Sequence, residues 1–402
     1  MMKSIKVRLF PTKKQEELML ESCGVMRYIY NWALERQMSN FIQGEKFISA
    51  FTLQKEFTQF KKLEENKWLA NFSSTMCKMA ITDLCEAYDK FFKKQKQNGY
   101  IKYSKRKIEK FARLNKKLTT YEMNGHPKFK SKKKSKLTFY VRNDRLSQTE
   151  NSINFEKIGR IKIKPNSIPI GVKLSNPRCS FDGKYWYLSV GIECNENQVK
   201  LNKDLSIGID LGVKDLAILS TGKVYKNINK SCKMKKLHKK LKSIQRQVSR
   251  KYEMNKDGKK YIKTHNIIKL EKKIKLLNRT IANIRNNHRH KLTSDIIKLR
   301  PYRVVIEDLN VKGMIKNRHL SRAIGEQGFY EIRRQLEYKC NWNGIELVIA
   351  DRFYPSSKTC SCCGNIKKDL KLSDRTYICE KCGLIIDRDL NASINLANYT
   401  NK

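Results

Sequence analysis

Two acidic residues directly follow short apolar runs of the kind that form buried strands. Asp210 ends the run IGID, and Glu307 ends the run VVIE. A carboxylate in such a place is unfavourable unless a positive charge lies beside it. Mg²⁺ and Mn²⁺ bind carboxylate oxygens, and two such ions can hydrolyse a phosphodiester, one by activating water and the other by stabilising the leaving oxygen. The pair therefore predicts a metal-dependent site that needs no side-chain nucleophile.

A third acid is expected from the segment DRDLNASINLA (387–397), which reads as a short helix with Asp387 and Asp389 at its start. Either residue could instead cap the helix, because an aspartate at that place accepts hydrogen bonds from the free backbone N–H groups of the first turn. The residue types alone leave open which of the two joins Asp210 and Glu307.

Four cysteines have the spacing of a metal site. They form two Cys-X-X-Cys pairs, Cys360 with Cys363 and Cys379 with Cys382, separated by 15 residues. Two such pairs are typical of a zinc ribbon, a closed tetrahedral site that is structural rather than catalytic. Cys362 is the alternative to Cys363 as a ligand. A disulfide or redox role is the alternative to the metal, although the spacing favours zinc.

The acids can meet only if the strands that carry them are neighbours. Residues 206–219 read as two strands joined by a tight turn, while 302–306 and 344–350 read as two more, with a helix over about 322–342 between them. An RNase H-like core has this arrangement. It is a mixed sheet with one acid on its first strand, one on its fourth, and the last on a helix packed across the sheet.

The remaining patterns predict further helices and a second sheet. Apolar residues repeat at gaps of four and three in 237–248 and 270–284, which predicts an antiparallel helical hairpin, and in 77–91, which predicts one buried helix face. Short alternating runs from 137 to 193 indicate a small antiparallel barrel or sandwich. Strand 4–10 is expected in the same sheet, which makes the helical segment between them an insertion.

Charge is concentrated in two windows. The chain holds 86 lysines and arginines against 38 aspartates and glutamates, a formal net charge of +48. Residues 91–140 contain 17 basic and 2 acidic side chains, and residues 221–300 contain 26 and 4. A solvated surface would explain one such run, but two long windows favour an anionic partner, and nucleic acid fits better than a membrane. Lysines there would contact phosphate without reading base sequence.

The N-terminal residues MMKSIKVRLF lack the apolar stretch of a secretion signal, and no run approaches the length that spans a bilayer. Outside the two Cys-X-X-Cys pairs the cysteines are scattered, which suits a reducing compartment. We therefore expect a soluble protein that stays inside the cell.

In these residues the chain resembles the TnpB family of transposon-encoded proteins, relatives of the type V CRISPR effector nucleases. The resemblance is carried, in chain order, by GIDLGVKDLA, VVIEDLN, CSCCG with ICEKCG, and DRDLNASIN. It is supported by KVRLFPTKKQEELM, YIYNWALE and GHPKFKSKKKSK. It covers nearly the whole chain, and the combination is specific although each piece alone is not.

The resemblance implies a multidomain α+β fold with a RuvC-type, RNase H-like nuclease core and a zinc ribbon. It also implies a small wedge β-barrel and an inserted helical recognition lobe. The family's catalytic, Mg²⁺- or Mn²⁺-binding acids correspond to Asp210, Glu307 and, in Asp-X-Asn-Ala, Asp389, while Asp387 is the neighbour that a shifted alignment would choose. The expected segments are 1–12, first strand of the wedge barrel; 13–130, recognition lobe with a basic linker; 131–200, rest of the barrel; 201–355, nuclease core with the basic hairpin; 356–384, zinc ribbon; and 385–402, last nuclease segment.

The resemblance further implies an RNA-guided endonuclease of an insertion-sequence transposon. It would cleave double-stranded DNA beside a short flanking motif, guided by RNA transcribed from the transposon end. We expect it in the prokaryotic cytoplasm, at the nucleoid when bound to DNA. Base pairing would read sequence while the basic windows grip phosphate. The alternatives are a non-catalytic RNA-guided DNA-binding regulator, and an unguided nuclease or transposase accessory protein.

Overall fold

The computed structural model describes residues 2–97, 103–194, 200–258, 260–371 and 374–400. The chain divides into two units, Met2–Cys194 and Asn195–Lys402. Each unit has its own principal sheet and its own apolar core.

The first unit places helices between the first and second strands of one sheet. Its described strands are β1 (Met2–Phe10), β2 (Thr138–Tyr140), β3 (Ser147–Gln148), β4 (Ser152–Phe155), β5 (Gly159–Ile163), β6 (Leu174–Phe181) and β7 (Trp186–Glu193). Its described helices are α1 (Lys13–Ile42), α2 (Ala50–Phe60), α3 (Ser74–Gln97) and α4 (Lys105–Arg113), with short 3-10 helices at Glu64–Asn71 and Thr120–Glu122.

The strands of this unit pair in the order β2-β6-β7-β1-β5-β4-β3, and every pairing is antiparallel. Strand β1 lies between β7 and β5, which confirms that the opening strand belongs to the later sheet and that the helices form an insertion. Among the described strands β2 and β3 remain edges, so a closed barrel stays a prediction.

Local sequence explains the two long helices of the insertion. Thr12 and Gln15 form a reciprocal capping box at the start of α1, in which each side chain accepts a hydrogen bond from the other residue's backbone N–H. The face of α3 that was predicted from Cys77 to Phe91 is buried, as expected for an amphipathic helix.

The second unit contains a mixed sheet, a helical hairpin and a small cysteine-bearing hairpin. Its described strands are β8 (Asn202–Leu211), β9 (Asp215–Leu219), β10 (Val224–Lys226), β11 (Lys256–Asp257), β12 (Lys260–Tyr261), β13 (Pro301–Glu307), β14 (Glu346–Ala350), β15 (Thr376–Ile378) and β16 (Ile385–Asp387). Its described helices are α5 (Cys232–Met254), α6 (His265–Lys298), α7 (Val311–Met314), α8 (Ser321–Gln327), α9 (Phe329–Trp342) and α10 (Arg388–Ala397), with a 3-10 helix at Ile228–Lys230.

The mixed sheet has the order β10-β9-β8-β13-β14. Strands β10, β9 and β8 are antiparallel neighbours, whereas β8, β13 and β14 run parallel. In chain order, the strands that carry Asp210 and Glu307 are therefore the first and the fourth of the five described, as predicted. One face packs on α6 and α9 through a large apolar cluster, and the other packs on α10 through Leu396.

The predicted helical hairpin is present as α5 and α6, which pack through Met234, Leu241 and Ile281. The predicted single helix over about 322–342 is wrong, because the chain breaks into α8 and α9 at Gly328. Gly328 has φ +68°, a conformation that favours glycine, and a Cβ there would lie 2.8 Å from a guanidinium nitrogen of Arg289. None of the described helices combines the length and apolar character that crossing a bilayer requires.

Candidate functional site

Strand alternation directs Asp210 and Glu307 to the same face of the mixed sheet. Ile207 and Ile209 on β8 belong to the core beneath α6 and α9, so Asp210 points to the opposite face. Strand β13 runs parallel to β8 with Ile306 paired to Ile209, and Glu307 is the next residue. The two carboxylates therefore stand side by side at the end of two neighbouring parallel strands.

Helix α10 covers this face and brings the third acid. It approaches β8 at Gly208, where an added Cβ would overlap the backbone of Ser393 and lie 2.9 Å from the Leu396 Cβ. The helix end is held by the Ala397 carbonyl, which accepts hydrogen bonds from Ser206 Oγ at 2.7 Å and from Arg303 at 2.8 Å. A glycine within a strand often marks such a close approach, so Gly208 was a sequence signal that the prediction did not use.

The two aspartates at the start of α10 have different surroundings. Asp387 is exposed, and one of its oxygens accepts hydrogen bonds from the backbone N–H groups of Asp389 and Leu390, both at 3.0 Å. Asp387 is therefore the N-cap. Asp389 lies in the first turn and lines a cavity together with Asp210 and Glu307.

That cavity has a volume of about 290 Å³ and a mixed charge. Besides the three predicted acids, a fourth carboxylate, Asp215, and three cations line it: Lys214, Arg375 and Arg388. Sequence reasoning missed all four. Lys214 and Asp215 lie in the turn beside the predicted strand end, which was a usable signal, whereas Arg375 reaches the cavity only because of where the cysteine-bearing hairpin docks.

Burial and the repulsion between neighbouring carboxylates disfavour the charged forms of Asp210 and Glu307 unless a cation binds beside them. Burial, followed by the nearby charges of Glu307 and Asp389, raises the pKa of Asp210 well above its usual value. Burial likewise raises the pKa of Glu307, although a hydrogen bond from Ser356 Oγ at 2.8 Å opposes this shift. Within the described chain no group donates a hydrogen bond to the Asp210 carboxylate. Hard oxygen donors in this state fit a divalent ion such as Mg²⁺ or Mn²⁺.

Asp389 differs from Asp210 and Glu307 because, among the described residues, it is the acid of the three that forms ion pairs. Arg388 lies 3.2 Å from one of its oxygens, and Arg375 lies 3.9 Å from the other. Only one fifth of the Asp389 side chain is exposed. The arginines therefore orient this carboxylate at the mouth of the cavity.

The four predicted cysteines meet in one cluster. The Sγ atoms of Cys360 and Cys382 are 3.6 Å apart, those of Cys363 and Cys379 are 3.5 Å apart, and all four lie within 4.8 Å of one another. Among the described residues, these four cysteines form the one group of at least three His, Cys, Asp or Glu side chains close enough to hold a metal ion as they stand. Cys362 is exposed and outside the cluster, so the structure favours Cys363.

Backbone geometry prepares the cysteine cluster for a metal. The N–H groups of Gly364 and Gly383 donate to the carbonyls of Cys360 and Cys379, each at 3.0 Å, which closes the tight turn of each Cys-X-X-Cys pair. Backbone N–H groups that face the Cys379 sulfur lower the pKa of that thiol to about 6. Four sulfurs at these separations can hold one metal ion.

Two buried asparagines of α10 join the cysteine cluster to the acid cavity. Asn391 and Asn395, one helical turn apart, donate to the Thr359 carbonyl at 2.7 and 2.6 Å, next to Cys360. Asn395 also donates to the carbonyl of Ser356, whose hydroxyl holds Glu307. Sequence reasoning missed both, although polar residues spaced by four in an otherwise apolar helix face were visible.

Three family models match separate parts of the chain. Residues 189–318 match OrfB_IS605, described as "Probable transposase", and residues 329–396 match the Cas12f1-like TNB domain. Residues 1–46 match HTH_OrfB_IS605, a helix-turn-helix domain, although in this structure that segment contains strand β1 and one long helix.

Relatives match nearly the whole chain. A protein of Streptomyces pristinaespiralis is 29% identical over 98% of this chain and 88% of its own length. InsQ of Escherichia coli K12 is 28% identical over 98% of this chain and 91% of its own length. Both are named "Putative RNA-guided DNA endonuclease". The fold is similar to Cas12f1 in a cryo-EM Cas12f1-sgRNA-target DNA complex, with TM-score 0.51, 14% identity and 99% of each chain covered. These matches confirm the predicted resemblance of the chain to the TnpB family of transposon-encoded proteins.

Proposed function

We propose that this protein is an RNA-guided DNA endonuclease of an insertion-sequence transposon, with Asp210, Glu307 and Asp389 as its catalytic acids. The observation that carries the proposal is that these three side chains, which come from distant parts of the sequence, line one cavity. Relatives that match the chain almost from end to end are named for the same activity.

We assign the core of the second unit to the RuvC, RNase H-like class. The support is its strand order, with three antiparallel strands followed by two parallel ones, and acids on the first and fourth strands. The finer division into a wedge barrel over 1–12 and 131–200, a recognition lobe over 13–130, a nuclease core over 201–355 and 385–402, and a zinc ribbon over 356–384 is part of this proposal.

Asp210, Glu307 and Asp389 would hold the catalytic Mg²⁺ or Mn²⁺. When bound, two such ions supply an activated water and stabilise the leaving oxygen of a phosphodiester. The chain itself prepares the ligands. Ser356 orients Glu307 by hydrogen bond, and Arg388 holds the carboxylate of Asp389. Asp387 caps the helix that carries Asp389, so its own role is positional.

We assign zinc to the Cys360, Cys363, Cys379 and Cys382 cluster. A closed set of four thiolates suits a structural Zn²⁺, which has no open position for a substrate. The ion would stabilise the segment before Cys360, whose Thr359 carbonyl accepts hydrogen bonds from Asn391 and Asn395, and through these two residues the position of α10. Zinc therefore contributes to the active cavity without taking part in the reaction.

The two basic windows are the proposed contacts for guide RNA and target DNA. In the second, α5 exposes most of its lysines while burying Met234, Leu241, Ile244 and Val248. A helix with that pattern offers phosphate contacts along its open face. We propose that the RNA is transcribed from the transposon end and that cleavage requires a short flanking motif beside the DNA target.

The test is purification of the full chain from cells that carry its own locus. We expect a co-purifying RNA from the adjoining sequence, Mg²⁺-dependent cutting of DNA that matches this RNA, and loss of cutting but not of binding in Asp210→Ala. Cutting that is indifferent to the RNA sequence would instead support an unguided nuclease or transposase accessory protein. Guided binding without cutting in any divalent metal would support the non-catalytic regulator.

A further inference from the structure

A three-residue loop follows directly after the strand that carries Asp210. The loop, Gly212-Val213-Lys214, joins β8 to β9 and lines the acid cavity along its whole length. Its position means that any movement of the loop would move Asp210 at one end and Asp215 at the other.

Side chains from outside the loop hold all three of its backbone carbonyls. Gln327 Nε2 donates to the carbonyls of Gly212 and Val213, both at 3.3 Å. Asn227 Nδ2 donates to the Val213 carbonyl at 2.8 Å, and Lys230 Nζ donates to the Lys214 carbonyl at 3.2 Å. A loop whose three consecutive carbonyls are bound by side chains from two other elements is held in one conformation.

Gln327 is the buried member of this set, with 2% of its surface exposed. It is the last residue of α8, and the left-handed turn at Gly328 ends the helix there. Its own carbonyl accepts a hydrogen bond from Arg289 at 3.2 Å. A buried amide without partners is costly, so the loop and Gln327 stabilise each other's position.

The held loop presents Lys214 to the cavity. Arg375 and Arg388, the other cations there, are already beside Asp389. By contrast, Lys214 is exposed, and among the described residues no carboxylate forms an ion pair with its ammonium. A compact ammonium on a flexible stem is suited to an incoming phosphate as a point charge.

We propose that Lys214 contacts a phosphate of the DNA strand that enters this cavity, and that Gln327 is the positioning residue which fixes the loop for that contact. The inference rests on the proposed nuclease function. A phosphodiester that approaches several carboxylates is repelled, and Lys214 supplies positive charge that no carboxylate of the described chain has already taken.

The test uses the full chain with its guide RNA, a matching DNA target and Mg²⁺. Lys214→Met keeps the length of the stem and removes the charge. We expect cleavage to fall about 10- to 100-fold, Lys214→Arg to retain more activity than Lys214→Met, and target binding in an Asp210→Ala background to be unchanged. Lys203→Met is the matched control, because Lys203 is an exposed lysine at the other end of β8. Lys214→Met that cuts like wild type would overturn the role of Lys214.

The role of Gln327 must be tested by a measurement that a purely structural defect would leave unchanged. We expect Gln327→Ala to lower kcat with little change in KM for target, at a temperature where its unfolding curve shows it folded. We also expect the double variant with Lys214→Met to lose less than the product of the two single losses, because both act on one contact. Independent, multiplicative losses would overturn the positioning role.

The outcomes separate this inference from the function on which it rests. If the wild-type chain cuts and Asp210→Ala does not, while Lys214→Met is fully active, only the inference fails. If the wild-type chain cuts nothing in any divalent metal, the proposed function fails and the inference falls with it.

Discussion

Gly208 lies directly beneath Ser393, so close that a single methyl group at residue 208 would overlap the Ser393 carbonyl oxygen. This contact seats α10 on β8, the strand that carries Asp210. Since Asp389 is in the first turn of the same helix, the missing side chain at Gly208 is one reason why the two carboxylates share a cavity.

Gly208→Ala should therefore damage both stability and cleavage. The added methyl group meets backbone rather than a flexible side chain, so α10 must shift, at a cost of about 1–3 kcal/mol in the free energy of unfolding. Thermal unfolding and guided cleavage assays measure the two effects. Gly325→Ala in α8 is the control, because nothing lies within 4 Å of its Cβ position, and a helical glycine-to-alanine change stabilises by up to about 1 kcal/mol. Equal behaviour of the two variants would contradict the packing argument.

Substitutions of Asp387 and Asp389 should have different effects on cleavage. Asp389→Asn should lower cleavage by more than about 100-fold, since even groups behind a metal ligand are worth 10- to 100-fold. Asp387→Asn should cut almost normally, because asparagine is an equally good N-cap, while Asp387→Ala should lose about 1 kcal/mol of stability. Single-turnover cleavage and unfolding curves distinguish them. A dead Asp387→Asn beside an active Asp389→Asn would reverse the assignment of the third acid.

Loss of the metal from the cysteine cluster should also impair cleavage at the acid cavity. We expect about one zinc ion per chain, measured by elemental analysis, and its loss in Cys379→Ser. That variant should also cut poorly, because Asn391 and Asn395 then lose the ordered Thr359 carbonyl to which they are bonded. Cys362→Ser should keep both zinc and activity. Full cleavage by a zinc-free chain would refute the link between the two sites.

Acid stability should depend on Glu331 in α9. Two hydrogen bonds from Arg334, at 2.7 and 2.8 Å, are the main cause that lowers the pKa of Glu331 to about 2. Because the pKa of Glu331 is lower in the folded state, its ionised carboxylate stabilises the fold at pH values above its ordinary pKa of about 4.3. This stabilisation is lost as the pH falls through the folded-state pKa of about 2. Glu331→Gln should therefore cost about 1 kcal/mol at pH 7, after allowance for solvent screening, and progressively less toward pH 2.

The matched control for that prediction is Glu337→Gln on the same helix. Glu337 is about half exposed and makes a single contact with Arg333, so its replacement should cost only a few tenths of a kcal/mol. Denaturant unfolding at pH 7 and pH 3 measures the difference. A cost for Glu331→Gln that does not change between these two pH values would show that its ion pair is not responsible.

Local patterns in the sequence predicted most of the strands and helices around the site, its three acids and the four cysteines, but not the other charged residues that line the cavity. Apolar alternation predicted the strands that carry Asp210 and Glu307, and helical spacing predicted α3, α5 and α6. The Cys-X-X-Cys pairs predicted the cysteine cluster. Each of these features depends on residues only a few positions apart, which is the distance over which backbone periodicity and ligand spacing operate.

Tertiary structure decided how those elements meet. Whether Asp387 or Asp389 lines the acid cavity follows from which way the first turn of α10 faces. The hydrogen bonds from Gln327 to the loop that follows β8 join positions more than 100 residues apart. The break at Gly328 depends on a turn packed against Arg289. Such contacts depend on packing between segments remote in the chain, and a periodicity within one segment carries no information about the partner it will face.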